Sequence, residues 1–255
     1  MTNLFNLTGK TALITGSSRG LGFCYAQGLA AAGAKIILND INQEALDLAI
    51  KKLQSQGYQA SGYLFDVSNE EQILKAFEQL DNDGIKVDIL INNAGIQHRQ
   101  PMVELQLKDW QRVINIHLTG TFLVSREAAK RMIARKSGGK IINIGSLTSE
   151  QARATVAPYT AAKGGIKMLT KSMATEWGPY NIQTNAIGPG YILTDMNTAL
   201  IENKEFDQWV KNSNPAKRWG RPEELMGTAV YLSAPASDYV NGQIIYVDGG
   251  WLSML

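Results

Sequence analysis

A tyrosine and a lysine stand four residues apart in the stretch Tyr-Thr-Ala-Ala-Lys at positions 159–163. On a helix, side chains at this spacing project from the same face. A neighbouring ammonium favours the phenolate and lowers the pKa of a phenol, which is ordinarily about 10. Tyr159 and Lys163 could therefore serve as a general acid and base on an alcohol or a carbonyl group.

Two further polar residues could join this pair. Ser146 follows the run Lys-Ile-Ile-Asn-Ile-Gly, at the carboxyl end of a predicted strand, where open α/β sheets bind their ligands. Its hydroxyl could hydrogen-bond the same substrate oxygen as Tyr159. Asn115, within a long helical region, offers an amide that could tie Lys163 to a chain of water molecules. Taken alone, each residue is equally typical of a turn or of a partly solvated helix face.

A glycine-rich turn, residues 15–22, follows the first predicted strand with the sequence Thr-Gly-Ser-Ser-Arg-Gly-Leu-Gly. Glycines at such a place let the backbone turn sharply and come close to a pyrophosphate at a helix N-terminus. A tight strand-to-helix turn is the simpler alternative, but the position after the first strand favours coenzyme binding. The predicted contacts in this turn are Gly16, Ser18, Arg19, Gly20, Leu21 and Gly22.

Two charged residues bear on the choice of coenzyme. Asp40 follows the second predicted strand, about 20 residues beyond Gly20, where an acid suits the ribose hydroxyls of NAD and repels the 2′-phosphate of NADP. Arg19 argues the other way, because a guanidinium in the glycine turn could bind that phosphate. The sequence therefore favours NAD and leaves NADP possible, with a helix cap as the alternative role of Asp40.

Two more strand ends carry candidate coenzyme ligands. Asp66, at the end of the third predicted strand, could accept a hydrogen bond from the adenine amine or could cap the turn before Ser68. The run Asn-Asn-Ala-Gly, residues 92–95, closes the fourth strand, and its amides and small residues could line a ligand crevice. These ends add Asp66, Val67, Asn93, Ala94 and Gly95 to the predicted coenzyme site.

Short apolar strands alternate with longer helical stretches along the chain. The strands are continuous and rich in Ile, Val and Leu, which is typical of a parallel sheet covered by helices on both faces. This alternation predicts a single α/β domain over residues 1–255, built as a doubly wound parallel sheet in three layers. The predicted strands cover 11–15, 35–39, 60–67, 87–92, 140–145, 181–188 and 243–250. The first predicted helix follows the glycine turn and ends near residue 32. The later predicted helices cover about 42–56, 69–80, 108–135 and 158–177.

One stretch, about 191–221, interrupts the alternation. It is long and polar, and it contains Trp209 and Trp219. The alternatives are a disordered loop and a lid of small helices. Two tryptophans favour the lid, because such side chains pack against something.

The composition disfavours several classes of protein. The formal net charge of +2, without a dense run of Lys or Arg, predicts no nucleic-acid partner. No apolar run reaches the ~18 residues of a membrane span, and no secretory signal is recognised at the start, so we expect no membrane partner. The single cysteine, Cys24, fits a reducing, cytoplasmic location. The two histidines and the cysteine lie far apart and predict no metal site.

Taken together and in this order, the motifs resemble those of the short-chain dehydrogenase/reductase family over essentially the whole chain. They are TGSSRGLG, NNAG, Asn115, Ser146 and YTAAK. The resemblance implies a Rossmann-type fold, a nicotinamide coenzyme and a homotetramer. It also implies a catalytic set of Asn115, Ser146, Tyr159 and Lys163.

The resemblance further implies a role for each residue of this set. Tyr159 transfers the proton, while Lys163 lowers its pKa and holds the nicotinamide ribose. Ser146 orients the substrate, and Asn115 supports a proton relay. The hydride belongs to the coenzyme. The carboxamide end of the nicotinamide is expected to be held by Pro189, Gly190, Ile192 and Thr194.

Stretches outside these motifs resemble one branch of the family, the gluconate 5-dehydrogenases. They include NNAGIQHR (92–99), SLTSEQAR (146–153) and NPAKRWG (214–220), although His98 stands where this branch often has arginine. The resemblance implies reversible interconversion of D-gluconate and 5-dehydro-D-gluconate. Arginines suit the carboxylate of a sugar acid, because a guanidinium can bind both oxygens. The predicted substrate contacts are Arg99, Ser146, Glu150, Arg153 and Tyr159.

Three alternatives to this substrate assignment stay open. A 2-deoxy-gluconate 3-dehydrogenase and a 3-oxoacyl reductase both keep the fold and the catalytic set. The stretch VDGGWL (247–252) is similar to the deoxy-gluconate enzymes, whereas an oxoacyl reductase requires a more apolar pocket. The third alternative is a coenzyme-binding regulator without catalysis, which has no need of Tyr159 together with Lys163.

Overall fold

The structure is a computed structural model that describes residues 4–254. Across these residues, seven parallel strands form one sheet in the order β3-β2-β1-β4-β5-β6-β7. The strand order reverses between β1 and β4, which opens a crevice at the carboxyl ends of these two strands. The strands are β1 (Thr11–Ile14), β2 (Lys35–Asp40), β3 (Ala60–Leu64), β4 (Ile89–Asn92), β5 (Gly139–Ile144), β6 (Ile182–Pro189) and β7 (Ile244–Val247).

Helices cover both faces of the sheet, which confirms the predicted three-layer arrangement. The α-helices within the described chain are α1 (Gly20–Ala31), α2 (Gln43–Ser55), α3 (Glu70–Asn82), α4 (Leu107–Ile114), α5 (Gly120–Arg135), α6 (Ala157–Trp177), α7 (Thr198–Ile201), α8 (Lys204–Ser213) and α9 (Met226–Ser233). The apolar side chains of α1, α2 and α9 pack on one face. Those of α3 and α5 pack on the other face, where α6 lies beside α5.

The apolar runs that predicted buried strands are buried on both sides. In β1, Ala12 and Ile14 belong to the core beneath α1 and α2, whereas Leu13 belongs to the core on the opposite face. Successive side chains of a strand point to opposite faces, so a strand covered on both sides shows no polar alternation. The sequence therefore predicted the parallel sheet for the correct physical reason.

Three predicted elements differ from the observed ones, and the first is β3, predicted over 60–67, which ends at Leu64. The predicted helix 108–135 consists of α4, a π-helical turn over Asn115–Thr119, and α5. The last strand stops at Val247 rather than at 250. It stops there because Gly249 and Gly250 adopt positive φ values of 69° and 89°, which turn the chain out of the sheet.

The segment 191–221 folds into small helices, as predicted. It holds α7 and α8, and a parallel β-bridge between Ile192 and Gly220 joins its two ends. Five aromatic side chains, which we call the aromatic cluster, pack on one another with mostly edge-to-face contacts. They are Tyr191, Phe206, Trp209, Trp219 and Trp251. Both tryptophans singled out from the sequence thus anchor this segment. Separately, no helix within residues 4–254 combines the length and the apolar character that crossing a membrane requires.

Candidate active site

The glycine turn lies at the carboxyl end of β1, beside the crevice between β1 and β4. Gly16 and Gly20 adopt positive φ values of 58° and 57°, which residues with a Cβ rarely adopt. A Cβ on Gly16 would also lie 2.8 Å from the Cα of Ala94. The turn therefore needs glycine at these two positions, and it brings the backbone close to the loop that follows β4.

That loop braces the turn through Asn93 and Ala94. The Asn93 amide donates hydrogen bonds to the carbonyl oxygens of Thr15 (3.0 Å) and Gly16 (2.8 Å). The backbone N–H groups of Asn93 and Ala94 donate to the Thr15 hydroxyl at 3.0 and 3.1 Å. Thr15 is a supporting residue that the sequence analysis missed, because the glycine pattern alone does not reveal a hydroxyl that bridges two strand ends.

The first turn of α1 is left available for an anion. The side chains of Asn42 and Asn69 cap α2 and α3 by accepting hydrogen bonds from backbone N–H groups at 2.9 and 3.1 Å. Arg19 occupies the corresponding position of α1 and provides no side-chain cap, and the first turn carries no acid. An uncapped helix N-terminus beside glycines binds phosphate through its free N–H groups. These residues, with Leu21 in the same turn, fit the pyrophosphate of a dinucleotide.

Asp40 ends β2, and its carboxylate is already engaged within the protein. One oxygen accepts hydrogen bonds from the backbone N–H groups of Ile41 (2.8 Å) and Asn42 (3.1 Å). The other oxygen accepts a hydrogen bond from the Ser18 hydroxyl. Arg19 next to Ser18 is exposed. The helix-cap alternative for Asp40 is not observed, because Asn42 caps α2. Asp40 instead shapes the turn before that helix, and protein donors meet part of its charge.

Asp66 likewise shapes the turn that follows it. Its Oδ1 accepts hydrogen bonds from the backbone N–H (2.8 Å) and the hydroxyl (2.7 Å) of Ser68. Val67 is buried between them, and a Cβ on Gly120 of α5 would lie 2.7 Å from its carbonyl oxygen. The capping alternative for Asp66 is thus observed, at the sheet edge where the adenine contact was predicted.

The carboxyl end of β5 and the face of α6 bring Ser146, Tyr159 and Lys163 together. Lys163 is 5% exposed, and its Nζ donates a hydrogen bond to the carbonyl oxygen of Ile144 at 2.6 Å. The same nitrogen lies 5.4 Å from the centroid of the Tyr159 ring. Ser146 lies close enough to the Tyr159 phenol to lower its pKa. Its hydroxyl is further fixed by accepting from the backbone N–H of Thr148 at 3.2 Å.

Burial dominates the acid–base properties of this pair. It raises the pKa of the Tyr159 phenol and outweighs the lowering effects of Ser146 and of two nearby arginines. Burial also lowers the pKa of Lys163 to about 7. The groups that do lower the pKa of Tyr159 are Ser146, Arg99 and Arg153, and the lowering expected from the Lys163 ammonium is not seen among them. Tyr159 is consequently a neutral phenol that can donate a proton.

The structure places His117, and not Asn115, in this group. Asn115 is exposed at the start of the π-helical turn. His117 is 3% exposed, and its ring lies edge-on to Tyr159 with the centroids 5.1 Å apart. Helical residues two apart point about 200° away from each other, so only one of the two can face the sheet. No described contact joins Asn115 to Lys163, and the role predicted for Asn115 stays a prediction.

A signal for His117 was present in the sequence. Val113 and Gly120 are both buried, and they stand four residues before and three residues after it. That spacing marks one face of a helix. Gly95 confirms the close packing, since a Cβ there would lie 3.0 Å from Nδ1 of His117 and closer still to Cε1. The last residue of the Asn-Asn-Ala-Gly run is thus a glycine that makes room for the imidazole.

Two arginines lie beside the phenol. Arg153 stacks over the Phe206 ring at 5.2 Å, and its charge opposes the burial that raises the pKa of the neighbouring Tyr191. Partial burial and the like charge of Arg153 both lower the pKa of Arg99, although Arg99 stays exposed at the mouth of the site. Neither guanidinium forms an ion pair with a carboxylate of the described residues. The arrangement suits an anionic substrate, and it includes Tyr191, which the sequence analysis did not single out.

Glu150, by contrast, is not a free ligand for a substrate. Its two oxygens each accept a hydrogen bond from Lys167 at 2.6 Å, and one also accepts from the Tyr246 hydroxyl at 2.7 Å. Glu150 is thus tied to α6 by an ion pair with Lys167 and to β7 by a hydrogen bond from Tyr246, which leaves its predicted contact with the substrate without support. Within the described chain, His, Cys, Asp and Glu side chains form no cluster of three or more that could hold a metal ion.

The remaining predicted residues follow β6 at the same edge of the sheet. Pro189 ends the strand, and a Cβ on Gly190 would lie 2.6 Å from the Cα of Asp248. Ile192 is buried, and Thr194 precedes a short 3-10 turn over Asp195–Asn197. Because β5 and β6 are parallel neighbours, this segment begins beside the strand end that carries Ser146.

A family of known proteins matches almost the whole described site. Its sequence profile, described as "Enoyl-(Acyl carrier protein) reductase", matches residues 16–252. The match runs from the glycine turn through Tyr159 and Lys163 to the aromatic residue Trp251. It therefore includes the glycine turn from Gly16 onward and the ends of all later strands.

Individual relatives span the full chain. The 5-keto-D-gluconate 5-reductase of Escherichia coli K12 is 48% identical over 252 residues, covering 99% of each chain. A solved structure from Agrobacterium tumefaciens, provisionally assigned as a gluconate dehydrogenase, is 64% identical with a TM-score of 0.97, covering 99% of each chain. A gluconate 5-dehydrogenase from Burkholderia cenocepacia, solved with NADP and tartrate, is 44% identical with a TM-score of 0.97, again covering 99% of each chain.

Proposed function

The chain belongs to the short-chain dehydrogenase/reductase family, and from that premise we propose that it interconverts D-gluconate and 5-dehydro-D-gluconate with a nicotinamide coenzyme. It is an oxidoreductase acting on CH–OH groups. The observation that carries the substrate assignment is the pair Arg99 and Arg153, two guanidiniums without a carboxylate partner in the described chain, whose charges act on Tyr159. A sugar acid offers a carboxylate to these arginines and a secondary alcohol to the phenol.

Each side chain of the site has its own role in the proposed reaction. The bound coenzyme supplies or accepts the hydride. In the reductive direction, Tyr159 donates its phenolic proton to the carbonyl oxygen of the substrate. Ser146, which lies beside that phenol and acts to lower its pKa, orients the same oxygen. The two arginines hold the carboxylate, so they decide which carbon of the chain faces the phenol.

We assign the parts of the coenzyme to the residues that fit them. The pyrophosphate belongs at the uncapped first turn of α1. The nicotinamide ribose belongs at Tyr159 and Lys163, whose amine is bonded on one side to a backbone carbonyl. Asp66 serves the adenine, and the segment from Pro189 to Thr194 serves the carboxamide. We propose that residues 1–255 form one domain, in which the segment 191–221 is the lid.

The raised pKa of Tyr159 predicts opposite pH dependences for the two directions. Reduction requires the neutral phenol, so kcat/KM for the keto acid should stay level until the pH rises through the raised pKa and should then fall. Oxidation requires the phenolate, so kcat/KM for gluconate should rise with pH, by up to about tenfold per pH unit below that pKa. Steady-state rates measured from pH 6 to 10.5 test this, and parallel profiles in both directions would contradict it.

We further propose NADP as the preferred coenzyme, which revises the expectation of NAD. That expectation rested on a carboxylate free to repel the 2′-phosphate. In the structure, two backbone N–H groups and Ser18 donate to Asp40, which weakens that repulsion. Arg19 is exposed next to Ser18 and can pair with a phosphate. The Burkholderia relative that binds NADP supports the same choice.

Replacing Arg19 by Ala should lower kcat/KM for NADP about tenfold, since a charge-assisted hydrogen bond of roughly 1.5 kcal/mol is lost. The value for NAD should hardly change, because NAD has no 2′-phosphate. The two coenzymes measured on one variant therefore control for each other. Equal losses with both would mean that Arg19 shapes the turn rather than binding the phosphate.

The function itself is tested by steady-state oxidation of D-gluconate and reduction of 5-dehydro-D-gluconate, each with NADP and with NAD. We expect turnover in both directions, with 2-deoxy-D-gluconate and a 3-oxoacyl thioester clearly slower. Product analysis should show that C5 is the carbon oxidised. An inert gluconate, together with rapid turnover of either competing substrate, would refute the substrate assignment and leave the family chemistry in place.

We also propose that the protein works as a homotetramer in the cytoplasm. Large apolar side chains on α5 and α6 stay exposed, with Phe122 at 41% and Met168 at 60%. Apolar side chains on adjacent helices are typical of surfaces that pack against another subunit. Light scattering should give four times the mass of the chain, and cell fractionation tests the location. A monomer that retains full activity would contradict the assembly.

A further inference from the structure

Thr155 has a backbone conformation that its residue type disfavours. It lies in the loop between β5 and α6, and its φ is 70°. A positive φ is uncommon outside glycine, and it is a genuine outlier for a side chain that branches at Cβ. The side chain is exposed, so packing around it does not impose the conformation. Strain of this kind persists where a surrounding contact requires it, and it is concentrated at functional sites.

The turn at Thr155 allows one hydrogen bond between two loops. The carbonyl oxygen of Thr155 accepts from the backbone N–H of Gln100 at 2.9 Å. Gln100 directly follows Arg99 in the loop after β4, and Thr155 comes two residues after Arg153. The bond therefore joins the main chains of the two loops that carry the arginines of the site.

The two arginines need such a link because they repel each other. Burial, and then the like charge of Arg153, lower the pKa of Arg99. Stacking on Phe206 at 5.2 Å holds Arg153 in place, but it does not fix the distance to the other loop. Among the described residues, the hydrogen bond from Gln100 to Thr155 is the main-chain contact between these loops. This bond is therefore the contact that opposes the repulsion.

We propose that Thr155 is a positioning residue: its left-handed backbone keeps the carbonyl group bonded to Gln100, and this sets the separation at which the two arginines bind one carboxylate. A guanidinium binds a carboxylate through directed N–H groups, so the separation matters as much as the charge. The proposal rests on the sugar-acid activity proposed above. It adds a residue that makes the site selective for a small acid without touching the substrate.

Two substitutions of Thr155 separate its backbone conformation from its side chain. Thr155→Pro fixes φ near about −65° and excludes the observed turn. Within the described chain the N–H of Thr155 donates no hydrogen bond, so proline removes none. Thr155→Asn removes the branched side chain, but asparagine tolerates a positive φ. We expect the proline variant to raise KM for gluconate about tenfold or more, and the asparagine variant to keep the wild-type KM.

The other end of the bond offers a matched pair. Gln100→Pro removes the N–H that donates, whereas Gln100→Ala shortens the side chain and keeps the N–H. Gln100→Pro should therefore raise KM as Thr155→Pro does, and Gln100→Ala should not. The double proline variant should be no worse than either single one, because both substitutions break the same bond.

The values of kcat, coenzyme affinity and Tm separate positioning from general damage. Ser146 lies in the same loop as Thr155, so a broadly distorted loop lowers kcat. We expect both single proline variants to keep kcat within about threefold of the wild type and to bind coenzyme normally. An unchanged KM in Thr155→Pro would overturn the proposal. A loss of kcat as large as the rise in KM would overturn it as well.

A measurement on the unsubstituted protein covers the case in which the proline variants do not fold. Hydrogen exchange of the Gln100 amide, followed by NMR, reports the bond to Thr155 directly. We expect this amide to exchange at least about tenfold more slowly than an unprotected one. Adding tartrate, a small hydroxy acid, should slow it further, because a carboxylate between the arginines replaces repulsion by attraction. An unprotected amide, or one that tartrate leaves unchanged, would refute the proposal.

The exchange measurement also distinguishes this proposal from the proposed function. Tartrate needs only to bind. A protein that does not oxidise gluconate, but whose Gln100 amide is protected and slows with tartrate, loses the proposed substrate and keeps the role of Thr155. A protein that oxidises gluconate with an unprotected Gln100 amide keeps the proposed function and loses the role of Thr155.

Discussion

Replacing Tyr159 by Phe is expected to lower kcat by about 10³-fold or more in both directions, since general acid–base groups contribute roughly 10² to 10⁴. The substitution removes one oxygen and leaves the ring in its contacts with His117 and Lys163. The neighbouring Ser146 hydroxyl keeps the hydrogen bond that it accepts from the backbone N–H of Thr148 when the phenol oxygen is removed. We therefore expect an unchanged Tm and unchanged coenzyme affinity.

A matched substitution makes this loss interpretable. Tyr239 is fully exposed, so Tyr239→Phe removes an identical oxygen far from the site and should leave kcat unaltered. Initial rates, coenzyme titrations and thermal unfolding of both variants complete the comparison. Appreciable turnover by Tyr159→Phe would mean that another group supplies the proton. A preserved biological effect without turnover would instead favour the coenzyme-binding regulator.

The second large effect is expected from the two arginines beside the phenol. Hydrogen bonds to charged groups contribute roughly 1.5–3 kcal/mol each, so Arg99→Gln and Arg153→Gln should each raise KM for gluconate about 10- to 100-fold. The double substitution should nearly abolish recognition of the acid. Arg153 also stacks on Phe206 and lies near Tyr191, so we expect its loss to be the larger of the two.

Charge recognition must be separated from damage to the aromatic cluster. A ketone without a carboxylate, reduced slowly by the wild type, should be reduced equally well by the arginine variants. Arg112→Gln, at an exposed position of α4, serves as the control for losing a positive charge. If the neutral ketone suffers as much as the sugar acid, the arginines support the pocket rather than bind the carboxylate.

Much of the fold could be predicted because it depends on local patterns. Continuous apolar runs such as that of β1 predict a strand covered on both faces, and their alternation with helices predicts a parallel sheet. The spacing of Tyr159 and Lys163 fixes a common helix face without any tertiary contact. Gly16 and Gly20 could be recognised because only glycine readily adopts the positive φ that their turn requires.

The roles of individual polar side chains depend on partners that are distant in sequence, and these only the tertiary structure decided. Glu150 could not be excluded as a ligand until Lys167 and Tyr246 were seen to hold it. Asp40 repels a phosphate or forms a turn according to whether Ser18 reaches it.

Burial and helix phase decided the remaining points. The direction in which the pKa of Tyr159 shifts depends on how deeply its phenol is buried, and burial outweighs every nearby charge. A π-helical turn sets which of Asn115 and His117 faces the sheet. The sequence thus determined which residues share a face or a strand end, because that geometry is local to the chain. The tertiary structure alone decided which of them lose their water and which already have partners, because both depend on contacts between segments far apart in sequence.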